Sequence, residues 1–569
     1  MIRKIFHNMK RRIVKLCLTC LILIATITAS TPAVYSQGMR IEWYDCCWII
    51  PLTPFLLCYN LVEYAAEETY DALNPPPSKK SILIVDADAE TVALKTGIRG
   101  DPWGNIAAVA GNKVVMGSNS GASILIVDVD TGKIIKKSGI SKVDRGNTAV
   151  VGNKVFIGRN KSDAGSSILI VDAQAGKVAK KHGLSYTTWG GGSTAVAGDK
   201  VVMGRGKEYH DRGTSILIVD AITGTVTEKD GLSKANWGYK STGVAGNKVV
   251  MGTGEYDGVS ILIVETVTGT VTEKGGLSKA NWGYKSTAVV GNKVVMGPGS
   301  FATSILIIDT VTGTVIEKGG LSKANWGGSG NTVVAGHKVV MGGTTSILIV
   351  DAEKGTVTEK GGLSKANWGM LSTVVAGNKV VMGRGKRYGD GGKPILIVDT
   401  AKGTVTEKGS FSEIEWGYGN TVIAGNKVVM GPGGYGESNS ILIIDTTTGT
   451  VTEKGGLSRA EWGHNSTAVV GNKVVMGPGL KAGNSILIID TTTGAVTEKG
   501  GLSKAEWGYK STTVVGNKVV MGTGYKNGTS ILIIDTVTGT VAEKGGLPNA
   551  KWGCHSTAVV GNKVVMGAQ

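Results

Sequence analysis

The sequence predicts an all-β fold, a ring of repeated four-stranded units of the kind called a β-propeller. Three observations predict it. The 569 residues include 87 glycines and only 5 phenylalanines. A segment reading "SILI" returns every 42 to 48 residues, a period that fits a propeller blade better than a helical repeat. The apolar residues come in β-branched runs of four to six, bounded by Gly, Asn, Asp and Thr, which is the pattern of short strands and tight turns.

Eleven copies begin at Ser81, Ser123, Ser167, Ser215, Ser260, Ser304, Ser346, Pro394, Ser440, Ser485 and Ser530. In the copy at Ser440, "SILIID" is apolar throughout, as a strand covered on both faces should be. "TTTG" then turns the chain into "TVTEK", whose alternation suits an exposed outermost strand. The loop "GGLSRAEWGHN" leads to the innermost strand "STAVV". The pair Gly471-Asn472 closes a hairpin with "KVVMG", a connection that requires positive φ and therefore Gly and Asn. The first copy opens on two outer strands and the chain stops after two inner ones, so the two ends are expected to share a blade. One closed ring of about eleven blades is the expectation, with two rings of five and six as the alternative.

The other parts of the chain differ from the repeats. Residues 1–36 read as a signal peptide: a basic stretch ending at Lys15, the apolar run "LCLTCLILIATITA", and small residues before Gln37. An exported protein is therefore expected: periplasmic, on the cell surface or secreted. Residues 37–80, with "WYDCCWIIPLTPFLLCYN" and a "PPP" break, form a docking or interfacial segment able to touch a membrane peripherally. The formal charge is +17. Six of the basic residues fall in the first 36, and the remaining 55 against 44 acidic are spread through the repeats. That distribution belongs to a solvated surface and excludes a nucleic-acid-binding patch.

The pattern "GNKVVMG…SILIVDAxTGxV" resembles the repeat of the quinoprotein-type (PQQ-like) β-propellers over Ser81 to Gln569. The resemblance implies four-stranded blades. It also implies a face that carries both the crossover loops and the connections between the two central strands. Members of that family carry their tryptophan soon after the Thr-Gly turn, whereas here Glu-Lys stands there and the Trp follows in the next loop. A quinone-dependent dehydrogenase and a helper in outer-membrane protein assembly are the alternative functions the resemblance offers.

Tryptophan occupies ten of the eleven crossover loops, at Trp103, Trp189, Trp237, Trp282, Trp326, Trp368, Trp416, Trp462, Trp507 and Trp552, with Arg145 in the remaining one. Each indole is read as a wedge between blades, contributing about 1.5 to 3 kcal/mol by burial. The candidate binding residues are the Tyr-Lys pairs that follow: Tyr239 and Lys240, Tyr284 and Lys285, Tyr509 and Lys510. They are expected outside the Trp layer, stacking on sugars or touching a protein. The Asp that ends each apolar strand is read as a turn cap rather than a calcium ligand.

Neither a metal nor a cofactor is expected, since the six histidines occupy unlike positions and no Cys-x-x-Cys-His occurs. In an exported protein, Cys46, Cys47, Cys58 and Cys554 are candidates for a disulfide that joins the N-terminal segment to the closing blade. The function these residues predict is that of a non-enzymatic, exported scaffold, binding a protein or glycan partner at the cell envelope.

Overall fold

The apolar run of each copy forms a strand hydrogen-bonded on both sides, and this double pairing creates the four-stranded unit. In the copy at Ser485, the strand Ile486–Asp490 lies between Lys473–Met476 and Ala495–Lys499, and Thr467–Val470 completes the sheet. All pairs are antiparallel, with Val474 opposite Ile489 and Ile489 opposite Val496. Ile486 to Ile489 are buried, whereas Ala495–Lys499 alternates exposed and half-buried positions. That gradient from centre to rim is the one the apolar and alternating runs dictate.

The fold is that of a computed structural model describing residues 81–569, apart from 99–102, 119–122, 141–142, 160–166, 186, 206–212, 256–257, 300–301, 328–330, 385–394, 410, 412–415 and 434–436. The signal-peptide and docking segments expected at 1–36 and 37–80 lie outside the described residues, as do Cys46, Cys47 and Cys58.

Eleven four-stranded sheets form. Blades 1 to 11 are numbered here by their innermost strands: Trp103–Ala110, Val143–Val151, Trp189–Ala197, Thr242–Ala245, Thr287–Val290, Thr332–Ala335, Thr373–Ala376, Trp416–Ala424, Thr467–Val470, Thr512–Val515 and Trp552–Val560. Blade 11 is built from both ends of the repeat region. Trp552–Val560 and Lys563–Ala568 join Ile82–Asp86 and Thr91–Lys95, with Ile82 opposite Gly567 and Asp86 opposite Lys563. The innermost strands touch in a single cycle from blade 1 to blade 11 and back to blade 1. The molecule is thus one ring, and the alternative of two rings of five and six is excluded.

The hairpin turn needs positive φ at one position only. Gly471 has φ of 55°, while Asn472 does not enter that region, as in a type II′ turn with Gly first. Asn472 has a different task. Its carbonyl accepts both the N–H and the hydroxyl of Thr491, at 2.9 and 2.8 Å, tying the hairpin turn to the Asp490 turn beside it. Asp490 caps that second turn by accepting the N–H groups of Thr492 and Thr493. Its other oxygen takes the Lys473 ammonium at 2.6 Å, from the residue directly opposite in the strand pair. The same ion pair recurs at Lys113–Asp128, Lys200–Asp220, Lys379–Asp399 and Lys427–Asp445.

Neighbouring blades approach most closely at the glycine of "KVVMG". A Cβ on Gly252 would lie 1.8 Å from the Trp282 carbonyl of the next crossover loop, so no other residue fits. Beside this contact stands either Asn or Ser, except in blade 1, where the sequence has Ile106. Asn331 donates from Nδ2 to the carbonyls of Gly342 and Trp368, at 3.1 and 2.9 Å, bridging blade 6 to the loop entering blade 7. Asn420 bridges Pro432 and Trp462 in the same way. At the equivalent place Ser241, Ser286, Ser372 and Ser511 are buried, and their hydroxyls meet no partner.

Lengthening such a serine should complete the bridge: Ser286→Asn is expected to raise stability by about 0.5–1.5 kcal/mol, and Asn331→Ser to lower it by a similar amount, in denaturant unfolding. The aspartates set a second expectation. The Thr131 N–H and the Lys113 ammonium bring Asp128 from 3.8 down to about 2, and the lysine partners of Asp309, Asp399, Asp445 and Asp490 lower theirs. Carboxylates lowered by folding contribute stability above their unfolded value and lose it as pH falls through the folded one. The unfolding midpoint should therefore drop between about pH 4 and about pH 2, and a midpoint unchanged across that window would show that the pairs contribute nothing.

Candidate functional site

Loops and tight turns leave the ring on opposite faces. The connection between the two central strands ends beside the crossover loop that follows the same blade, through two-residue bridges at Gly213–Ala235, Gly258–Ala280, Gly483–Ala505 and Gly528–Ala550. At the first of these, the Gly213 N–H reaches the Ala235 carbonyl at 3.2 Å and the Ala235 N–H returns at 3.1 Å. The crossovers and the length-variable connections therefore share one face, and the Asn472–Thr491 contact gathers the two tight turns on the other.

The crossover is held at its base by tryptophan. All ten indoles are buried to 2% exposure or less, whereas the side chain of Arg145, in the other crossover, lies outside the described residues. Trp237 packs on Val202, Ile216 and Ile218 of blade 3 and on Val249, Met251, Leu262 and Val264 of blade 4. Its indole N–H donates to the Ser233 carbonyl at 2.9 Å. The Ser233 N–H in turn donates to Glu273 of blade 4 at 2.9 Å, and the other Glu273 oxygen accepts the Ser260 hydroxyl at 2.7 Å. Burial pushes the Glu273 carboxyl up, but the bonds from Ser233 and Ser260 outweigh it and leave the group below its usual value. The Glu-Lys of the outermost strand is thus a clasp for the crossover. Trp103, Trp189 and Trp416 lack the indole bond, and their loops are those without the Ala two residues before the Trp.

After Trp-Gly-x, the chain makes a belt around the loop face. Lys240, Lys285, Leu371, Asn465, Lys510 and His555 all have φ between 50° and 54°, a left-handed conformation uncommon for residues other than Gly and Asn. Each N–H that is seen to bond here reaches the equivalent residue of the preceding copy. Lys240 donates to Gly192 and Lys285 to Lys240, both at 2.7 Å. Further round, Gly419 donates to Leu371, Asn465 to Gly419, Lys510 to Asn465 and His555 to Lys510, at 2.7–3.0 Å. These bonds offset the strain, which is typically about 1–3 kcal/mol per residue.

The belt changes the place expected for the tyrosines. Tyr239 and Tyr509 are buried, at 8% and 5% exposure, and only Tyr284 is half-buried. The chain runs round the ring at this point, so each side chain leans on the next copy instead of standing outward. Tyr239 stacks on Tyr284 with centroids 6.0 Å apart. Lys240 and Lys285 are exposed, and Lys510 is half-buried. Their ammonium groups lie 5.2–5.5 Å from the rings of Tyr239, Tyr284 and Tyr509. Cys554 stands in the tyrosine position of the last copy and is fully buried.

The six candidate binding residues do not form one site. Tyr239, Lys240, Tyr284 and Lys285 belong to the crossovers entering blades 4 and 5, while Tyr509 and Lys510 belong to a longer arc over blades 8 to 11. That arc runs Tyr418, His464, Tyr509, Tyr525, His555, with successive centroids 6.2, 5.6, 5.1 and 5.9 Å apart. Beneath it, Glu461 and Glu506 replace the Asn found before Trp237, Trp282, Trp326 and Trp368. Glu461 accepts the Leu480 N–H at 3.2 Å and faces His464 Nδ1 at 3.4 Å. Glu506 accepts the Tyr525 N–H at 2.9 Å, and burial pushes its carboxyl up. Aligning the copies reveals part of this, since His464 takes a Tyr place and His555 a Lys place. Tyr525 carries no such sign, because its loop varies in length. Among the described residues, no group of three or more His, Cys, Asp or Glu is placed to hold a metal ion.

No family model matches the sequence, and no curated protein matches it. Among solved structures, apo AztD from Citrobacter koseri is similar at 11% identity and a TM-score of 0.33, covering 66% of this chain and 95% of its own. The dihydro-heme d1 dehydrogenase NirN in complex with DHE is similar at 9% identity and a TM-score of 0.34, covering 67% of this chain and 74% of its own.

The two aromatic layers should respond differently to truncation. Trp282→Ala opens the interface between blades 4 and 5 and is expected to lower stability by about 3–5 kcal/mol. Tyr284→Ala, at a half-buried rim position, should cost about 1 kcal/mol or less. Equilibrium unfolding of both variants checks the order, and equal losses would contradict it.

Proposed function

We propose that the chain is a non-enzymatic propeller scaffold, exported to the cell envelope, that binds a protein or glycan partner through its loop-bearing face. One observation carries this reading. The scaffold positions repeat almost unchanged from copy to copy, whereas the belt position and the connections above it vary in charge, ring chemistry and length. The belt position alone holds Lys, Leu, Gly, Asn and His. Its backbone bonds are the same in each case, so the side chain is released from structural duty. Variable residues on a rigid frame are the usual form of a recognition surface, and aromatic rings with adjacent cations suit both sugars and protein partners.

The faces can be separated by substitutions the chain already tolerates elsewhere. Lys240→Asn with Lys285→Asn copies Asn465, and Ile222→Thr with Val267→Thr copies Thr447 on the opposite face. A glycan array and cross-linking to envelope proteins, with the full chain, provide the readout. The loop-face pair should weaken binding about fivefold or more, and the turn-face pair should leave it unchanged. Loss of binding in the turn-face pair alone would place recognition on the other side and overturn the proposal.

A further inference from the structure

The arc over blades 10 and 11 has a chemistry found nowhere else among the described parts of the ring. Tyr525 is at its centre. Its N–H is held by the buried Glu506 at 2.9 Å, which fixes the loop that carries it. The phenol oxygen accepts from Lys510 Nζ at 3.2 Å and meets His555 Nε2 at 3.0 Å. Lys510 and Lys551 place their ammonium groups 5.3 and 5.9 Å from the centre of the Tyr525 ring. Lys526 follows in sequence and acts electrostatically, with Lys551, on Glu506. Two lysines and a histidine therefore gather around one half-buried aromatic ring, Lys526 adds positive charge near Glu506, and that buried carboxyl has its charged form disfavoured.

From this geometry we infer that the Tyr525 cluster is a subsite for an anionic carbohydrate, a sugar whose carboxylate meets Lys510, Lys551 and His555 while its ring face lies on Tyr525. Two features select that ligand class. The half-buried phenol ring offers aromatic surface to the flat C–H face of a pyranose, and the cations at its rim favour a fixed negative charge within reach of the same ring. An acidic peptide side chain supplies the charge but no rigid face, and a neutral sugar supplies the face but leaves the cations unanswered. The inference rests on the loop-face reading above and gives that face its ligand.

The test uses the full chain, a galacturonate tetramer and cellotetraose as the neutral control, with titration calorimetry at two salt concentrations. Lys551→Asn and Lys510→Asn introduce residues that other copies carry at the same positions, Asn236 and Asn465. The galacturonate tetramer should bind, more weakly at high salt, and cellotetraose should not. Each lysine variant should lose about tenfold in affinity, and Tyr525→Ala should lose binding while the turn-face pair Ile222→Thr with Val267→Thr keeps it. Equal binding of the two sugars, or unchanged affinity in Lys551→Asn and Lys510→Asn, would overturn the subsite. Absence of any sugar binding, with a protein partner still lost in Lys240→Asn with Lys285→Asn, would overturn the subsite and leave the loop-face reading standing.

Discussion

The pairing of Ile82–Asp86 with Lys563–Ala568 is the contact on which every other interface depends. A blade has two faces, and each is covered only by a neighbouring blade. In an open row of eleven, the terminal blades would each expose an apolar face and a strand edge, which invites aggregation. The seam abolishes both ends at once. It is reinforced by Lys518, which reaches Glu90 at 2.7 Å, and by Lys563, which reaches the Val129 carbonyl at 3.3 Å. Closure over so many residues is affordable because loop entropy grows only with the logarithm of length.

Within the closed ring, most joints are made of the same few parts. Trp fills the gap, Glu clasps the crossover that carries the Trp, Gly lets the next loop approach, and Asn or Ser stands beside it. None of these bonds is strong alone, since a net hydrogen bond contributes about 1 kcal/mol. Their effect comes from repetition in a closed cycle, where loosening one joint strains both neighbours. The joints at Ser241, Ser286, Ser372 and Ser511, whose hydroxyls meet no partner, are the weaker members of the series.

Much of this was legible in the sequence because turns and strands leave strong marks. Gly471, the Thr-Gly turns and the apolar runs define four strands per copy, and the phase of the first and last copies announces the shared blade. The double role of Asp490 was less legible. An Asp before a Thr-Gly turn reads as a cap, and only the register shows that Lys473 is its opposite number. The burial of Tyr239 and Tyr509 could not be read at all, because it follows from left-handed backbone at Lys240 and Lys510, residues that give no sequence signal for positive φ. Arcs such as Tyr418 to His555 depend in addition on a loop residue, Tyr525, that has no counterpart at a fixed spacing.

The belt has a consequence for how such a chain diversifies. Its links run from main chain to main chain, so the identity of the residue at each link is invisible to the scaffold. A gene that grows by copying one unit usually inherits one specificity many times over. Here a single codon change per copy can rewrite the rim without any repacking beneath it. Where the belt is described, it behaves like a line of text, in which duplication lengthens the line and point mutation edits the message.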